Sequence, residues 1–106
     1  MKGGHNMSES MRQLKLWAKK LQIRHFFDGK SMIKLASATN SSMIGYIGAK
    51  VKLRWFDGGV LVSIIQENVR KCERAIVITK ILDIEKGQDS VTFFTQNSRY
   101  EFHICG

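Results

Sequence analysis

The residues Lys50-Val-Lys-Leu-Arg-Trp-Phe56, followed by Asp57-Gly-Gly59 and Val60-Leu-Val-Ser-Ile-Ile65, decide how this chain is read. Before the turn the side chains alternate, with Val51, Leu53 and Trp55 on one parity and Lys50, Lys52 and Arg54 on the other. A period of two sends these sets to opposite faces of a strand, one apolar and one cationic. Asp-Gly-Gly supplies residues that tolerate positive φ, as a tight hairpin turn requires. The stretch therefore predicts a half-buried hairpin whose three cations point away from the core.

Toward the C-terminus, residues 66–74 are polar and charged and predict a loop or a single helical turn. Residues 75–85 are rich in β-branched side chains and predict one strand, with a turn over 86–90. The last segment predicts a hairpin about Asn97-Ser98. That turn would pair Thr95 with Tyr100, Phe93 with Phe102 and Val91 with Ile104 on an apolar face. Phe94 and Glu101, and Thr92 and His103, would then pair on the other face.

Toward the N-terminus, residues 43–49 lead into the central hairpin and contain Gly45-x-x-Gly48. That spacing can clamp a nucleic-acid backbone between helices, but a β-alternating run follows it here, so the glycines predict a bulge or bend in a long strand. Residues 36–42 are small and polar and predict a loop. Residues 23–35 allow two readings: a helix running to Phe27 and capped at Asp28-Gly29, or two strands around an Asp-Gly turn. Arg24 and His25 fall where the helical apolar stripe should continue, which favours the hairpin. Ser8-Glu9-Ser10 offers helix-start chemistry, and Met11, Leu14, Ala18 and Leu21 then recur at helical spacing. Arg12, Lys15 and Lys19 follow the opposite face, with Lys20 beside them.

The expected fold is α+β and mainly β. One basic N-terminal helix precedes a five- to seven-stranded antiparallel meander, able to curl into a small SH3-like or OB-like barrel. Residues 1–7 read as a flexible leader and 8–106 as a single domain, a size that buries a core without a metal or disulfide staple. Cys72 and Cys105 are too few for a disulfide scaffold and are not spaced as a zinc or redox pair. No run approaches the roughly 18 apolar residues of a membrane span, and no apolar signal core opens the chain, so the expected compartment is the cytoplasm.

The formal net charge is +8, and it is one-sided. Through Asp57 there are eleven Lys or Arg and three acids, giving +8; from Gly58 there are six of each, giving zero. Such asymmetry points to an anionic partner. His5, His25 and His103 lie far apart without metal-ligand spacing, and no phosphate loop or dinucleotide fingerprint occurs, so neither an enzyme, a metal nor a cofactor is expected. Nucleic-acid binding needs clustered cations for phosphate and aromatics for stacking. The candidate residues are Arg12, Lys15, Lys19, Lys20 and Arg24 on the helix, and Tyr46, Lys50, Lys52 and Arg54 along the strand. Tyr46 and Phe56 would frame the strand row if the strand is unbroken. The other partner class is an acidic protein surface bound by an inhibitor or adaptor, with Phe94 as an outward apolar contact. A meander that does not close also leaves an edge strand able to pair with a second copy.

Overall fold

The computed structural model describes residues 16–17, 19–56, 58–65 and 74–105. The described residues form seven strands: β1 (Ile33–Ala38), β2 (Lys50–Phe56), β3 (Gly59–Ile64), β4 (Arg74–Thr79), β5 (Asp83–Lys86), β6 (Ser90–Phe94) and β7 (Arg99–Ile104). All pair antiparallel in one sheet of order β4-β3-β2-β1-β7-β6-β5. Two meanders, β1 to β4 and β5 to β7, are thus joined side by side through β1 and β7.

The connectivity forces the sheet to curl. Its edges, β4 and β5, are joined only through residues 80–82. Four Cα steps separate Thr79 from Asp83 and reach at most about 14 Å. In a flat sheet those edges would lie six strand spacings apart, about 29 Å. The sheet must therefore roll until its two edges approach, yet it stays open, because β4 and β5 are not paired.

The rolled interior is the core. The inward parity of each strand fills it: Ile33 and Leu35, Val51 and Leu53, Val60, Val62 and Ile64, Ile78, Ile84, Val91 and Phe93, Tyr100 and Phe102 are all buried. Ile23 and Phe26 complete it from the segment before β1, and Met43 from the β1–β2 connection. No polar or charged side chain is buried among the described residues, so burial here carries no desolvated charge.

The central hairpin forms as its sequence dictates. Phe56 pairs with Gly59 and Lys52 with Ser63, leaving a two-residue turn in which Gly58 has φ +76°. Gly59 serves a different need. A Cβ there would overlap the backbone carbonyl oxygen of Ile78, so glycine lets β3 and β4 approach.

Elsewhere the structure corrects the expectations. Leu16, Trp17 and residues 19–21 are helical, while the start of the expected helix, with Arg12 and Lys15, lies outside the described residues. Gln22, at φ +58°, ends the helix in a left-handed conformation. A 3-10 turn, Arg24–Phe26, follows in place of the expected Arg24–Phe27 strand. The Asp28 carboxylate accepts the Lys30 N–H at 2.8 Å and folds the chain toward β1. That short-range bond competes with strand pairing, and burial of Ile23 and Phe26 on one side of the turn favours it. β1 extends to Ala38, so the expected loop over 36–42 is half strand; a bulge between Leu35 and Ser37 resets its alternation.

Residues 44–46 form a second 3-10 turn, and Gly48 has φ +95°. The strand is therefore broken before Lys50, and Tyr46 does not share its alternation. The single strand expected over 75–85 is two, because Lys80 adopts φ +56° and turns the chain. Arg74, placed in the preceding loop by sequence, begins β4; residues 66–73 lie outside the described residues. The final hairpin keeps the expected faces but not the expected partners: Phe93 pairs with Tyr100, Val91 with Phe102, Phe94 with Arg99 and Thr92 with Glu101. The loop is four residues, with the Thr95 N–H donating to the Ser98 carbonyl at 2.9 Å. Relative to the expected pairing the register moves by two residues, which leaves every side chain on its own face. Alternation fixes parity, and parity cannot tell these registers apart.

Among the described residues no helix is long and apolar enough to cross a membrane.

Candidate nucleic-acid interface

On the outer face of β1 and β2 the backbone register assembles a cationic cluster. Lys34 stands directly opposite Lys50. The Leu35 N–H donates to the Ala49 carbonyl at 3.0 Å, so the neighbouring Lys34–Lys50 pair is of the non-hydrogen-bonded type, in which facing side chains are closest. Lys52 and Arg54 continue the row along β2, both exposed, and Phe56 ends it at 48% exposure. On the far side of Lys34 the same rung continues to His103 of β7. The His103 Nε2 lies 2.6 Å from Glu101 Oε2, an acid on the outer face of the same strand. Facing cations repel one another across a sheet.

A second cationic group lies where the helix ends. Lys19, Gln22, Arg24, His25, Phe27, Asp28 and Trp55 line an open cleft of about 730 Å³. Its aromatic wall is built by the Phe27 and Trp55 rings, which stack with centroids 4.0 Å apart and planes inclined by 10°. Trp55 is half-buried and packs on the core, and Phe27 reaches Phe93 edge-on at 6.4 Å. The cleft presents an apolar ring pair rimmed by two permanent cations, one histidine and one carboxylate.

These two groups do not form one row. Trp55 carries the inward parity of β2, while Lys50, Lys52 and Arg54 carry the outward parity. The helix end therefore reaches the strand from its inner side, and the two cationic features flank β2 on opposite faces. Lys20 is exposed but does not line the cleft. Tyr46 packs half-buried against the core from its 3-10 turn, which neighbours β1. Phe94 is half-buried, opposite Asp83 and Arg99.

Lys34 was absent from the residues singled out by sequence, although its alternation with Ile33 and Leu35 carries the same signal as the β2 row. His25 and Phe27 had no such signal, because only the turn after Gln22 brings them to Trp55. Among the described residues no three His, Cys, Asp or Glu side chains gather closely enough to hold a metal ion. No family model, curated protein or solved structure matches this chain.

Proposed function

We propose that this chain is a non-enzymatic binding domain that holds nucleic acid through its phosphate backbone. The observation that carries this reading is the Lys34–Lys50 rung, continued by Lys52 and Arg54 on one outer face. A facing pair of like-charged side chains, continued along one strand, concentrates positive potential on that face, where a phosphate anion is drawn to several cations at once. Binding phosphates to such a row releases counterions and supplies affinity independent of sequence. The cleft adds a second contact: Lys19 and Arg24 meet phosphate, and the Phe27–Trp55 wall offers a stacking surface to an unpaired base. In this reading the rolled sheet works as SH3-like and OB-like small barrels do, presenting a strand face and a barrel mouth to its ligand.

Fluorescence-polarisation titrations with short single- and double-stranded DNA and RNA, at low and moderate salt, test the proposal. The expected result is salt-steep binding that Lys52→Glu weakens. Absence of binding at low salt refutes it. One observation favours a second reading, an acidic protein partner: Phe56 is exposed beside Arg54 and would anchor a protein interface. Recovery of one stoichiometric protein partner, lost on Phe56→Ser, together with no nucleic-acid binding, would select that reading.

A further inference from the structure

The two edges of the sheet are unlike. β5 has four residues, three of them charged (Asp83, Glu85 and Lys86), and short charged edges resist pairing with other chains. β4 has six residues, Arg-Ala-Ile-Val-Ile-Thr, with one charge at its start and no proline.

The backbone register shows which groups this edge offers. The Ile65 N–H donates to the Lys50 carbonyl at 2.9 Å, so Lys50 and Ile65 form a hydrogen-bonded pair. In an antiparallel ladder such pairs alternate. On β3, residues 59, 61 and 63 therefore direct their backbone groups to β2, and 60, 62 and 64 direct theirs to β4. Val60, Val62 and Ile64 face Ile78, Ile76 and Arg74. It follows that Ala75, Val77 and Thr79 turn their N–H and C=O groups to the open edge. All three are exposed, Val77 at 39%. Toward the end of β4, Val77 and Thr79 border an open groove whose other wall is the β6–β7 loop.

We propose that β4 pairs antiparallel with β4 of a second copy, about a two-fold axis through Val77. That register places Val77 opposite itself and Ala75 opposite Thr79 of the other copy. All three outward-directed residues then become hydrogen-bonded pairs, for about six new backbone bonds. Shifting the axis to Ile76 would leave Thr79 without a β4 partner. The side chains agree with the Val77 axis. Arg54 faces Leu61, and Leu61 faces Val77. The central rung therefore reads Arg54-Leu61-Val77 and then its symmetry copy in reverse, an apolar centre with a cation at each end. The inner face pairs Ile76 with Ile78 of the second copy. No charge is buried, and the two Arg54 side chains stand five strand spacings apart, about 24 Å, well beyond the roughly 8 Å screening length. At each end Arg74 would meet Lys80 of the second copy, so added salt strengthens this dimer, opposite to its effect on phosphate binding. A second copy is the occupant because the strand is complementary to itself in both hydrogen bonding and apolar pattern.

Sedimentation velocity from roughly 10 µM to 1 mM protein tests the pairing, a range suited to a small interface. The expected result is a concentration-dependent dimer that Val77→Lys converts to a folded monomer, with folding checked by circular dichroism. Independent of that variant, Val77→Cys is placed in a Cys72→Ser/Cys105→Ser background and oxidised. It should crosslink rapidly, because a hydrogen-bonded pair sets its Cα atoms about 5.5 Å apart, within disulfide reach. Ala75→Cys in the same background should not, since its two copies lie about 14 Å apart along the strands. A wild-type monomer throughout the range, a dimer undisturbed by Val77→Lys, or crosslinking of Ala75→Cys as efficient as that of Val77→Cys would overturn the proposal.

Discussion

Replacing Lys34 with Glu should make the protein more stable and a poorer binder at once. The facing Lys34 and Lys50 side chains belong to a close cross-strand pair, which places their ammonium groups about 6 Å apart when both extend from the sheet. Two unit charges at that distance in water repel by about 0.7 kcal/mol, reduced to about half that at 0.15 M salt. Lys34→Glu turns this repulsion into attraction of the same size, a swing of about 0.7 kcal/mol at physiological ionic strength. For a domain of this length the melting temperature should rise by about 3–5 °C. Thermal melts followed by circular dichroism at about 0.05, 0.15 and 1 M salt provide the assay. The gain should be largest at the lowest salt and vanish at the highest, where the screening length falls to about 3 Å. In parallel, affinity for a nucleic-acid probe should fall. A variant that loses stability, or gains it equally at all salt concentrations, would show that the two lysines do not interact as the register implies. A variant that binds as wild type would remove Lys34 from the interface.

Three further substitutions probe other links. Gly59→Ala should destabilise by several kcal/mol, because the new Cβ would overlap the Ile78 carbonyl and push β4 off β3; a denaturant midpoint unchanged from wild type would contradict this. Gln22→Gly and Lys80→Gly should each stabilise by about 1 kcal/mol, since both positions hold left-handed backbone, at φ +58° and +56°, that costs a side-chain-bearing residue about that much; urea titration measures the shift. Trp55→Leu keeps apolar cover over the core but removes the ring stacked on Phe27, at a cost of about 1 kcal/mol in stability. It should weaken single-stranded binding by about 5- to 100-fold and leave double-stranded binding unchanged, which paired titrations would show.

What the sequence could convey depended on how local the cause was. The Lys50–Ile65 hairpin was legible because alternation and turn chemistry agree within sixteen consecutive residues. The final hairpin was legible in its faces alone: Phe93 and Phe102 face inward in either register, and only the four-residue loop at Thr95–Ser98 chooses between them. Lys80 gave no warning, since a lysine at positive φ is imposed by the turn between two edges that must meet. Residues 23–32 resisted for a related reason. Their conformation follows from Ile23 and Phe26 entering a core made almost wholly by later strands. For the candidate interface, the β2 row was readable because each of its cations is two residues from the next. The Lys34–Lys50 rung was not, because it arises from pairing between segments separated by a turn whose geometry, at Tyr46 and Gly48, alternation does not encode.

The central claim is that one outer face, centred on Lys34, Lys50, Lys52 and Arg54, meets phosphate. Its most direct test is the slope of log affinity against log salt, for wild type and for single substitutions to Gln at Lys34, Lys52 and Arg54. Lys86→Gln, on the far edge strand β5, serves as the control. Each of the first three should reduce the slope by about one, as removal of one phosphate contact requires, and Lys86→Gln should leave it unchanged. Equal slopes for all four variants and wild type, or no measurable binding at about 50 mM salt, would contradict the claim.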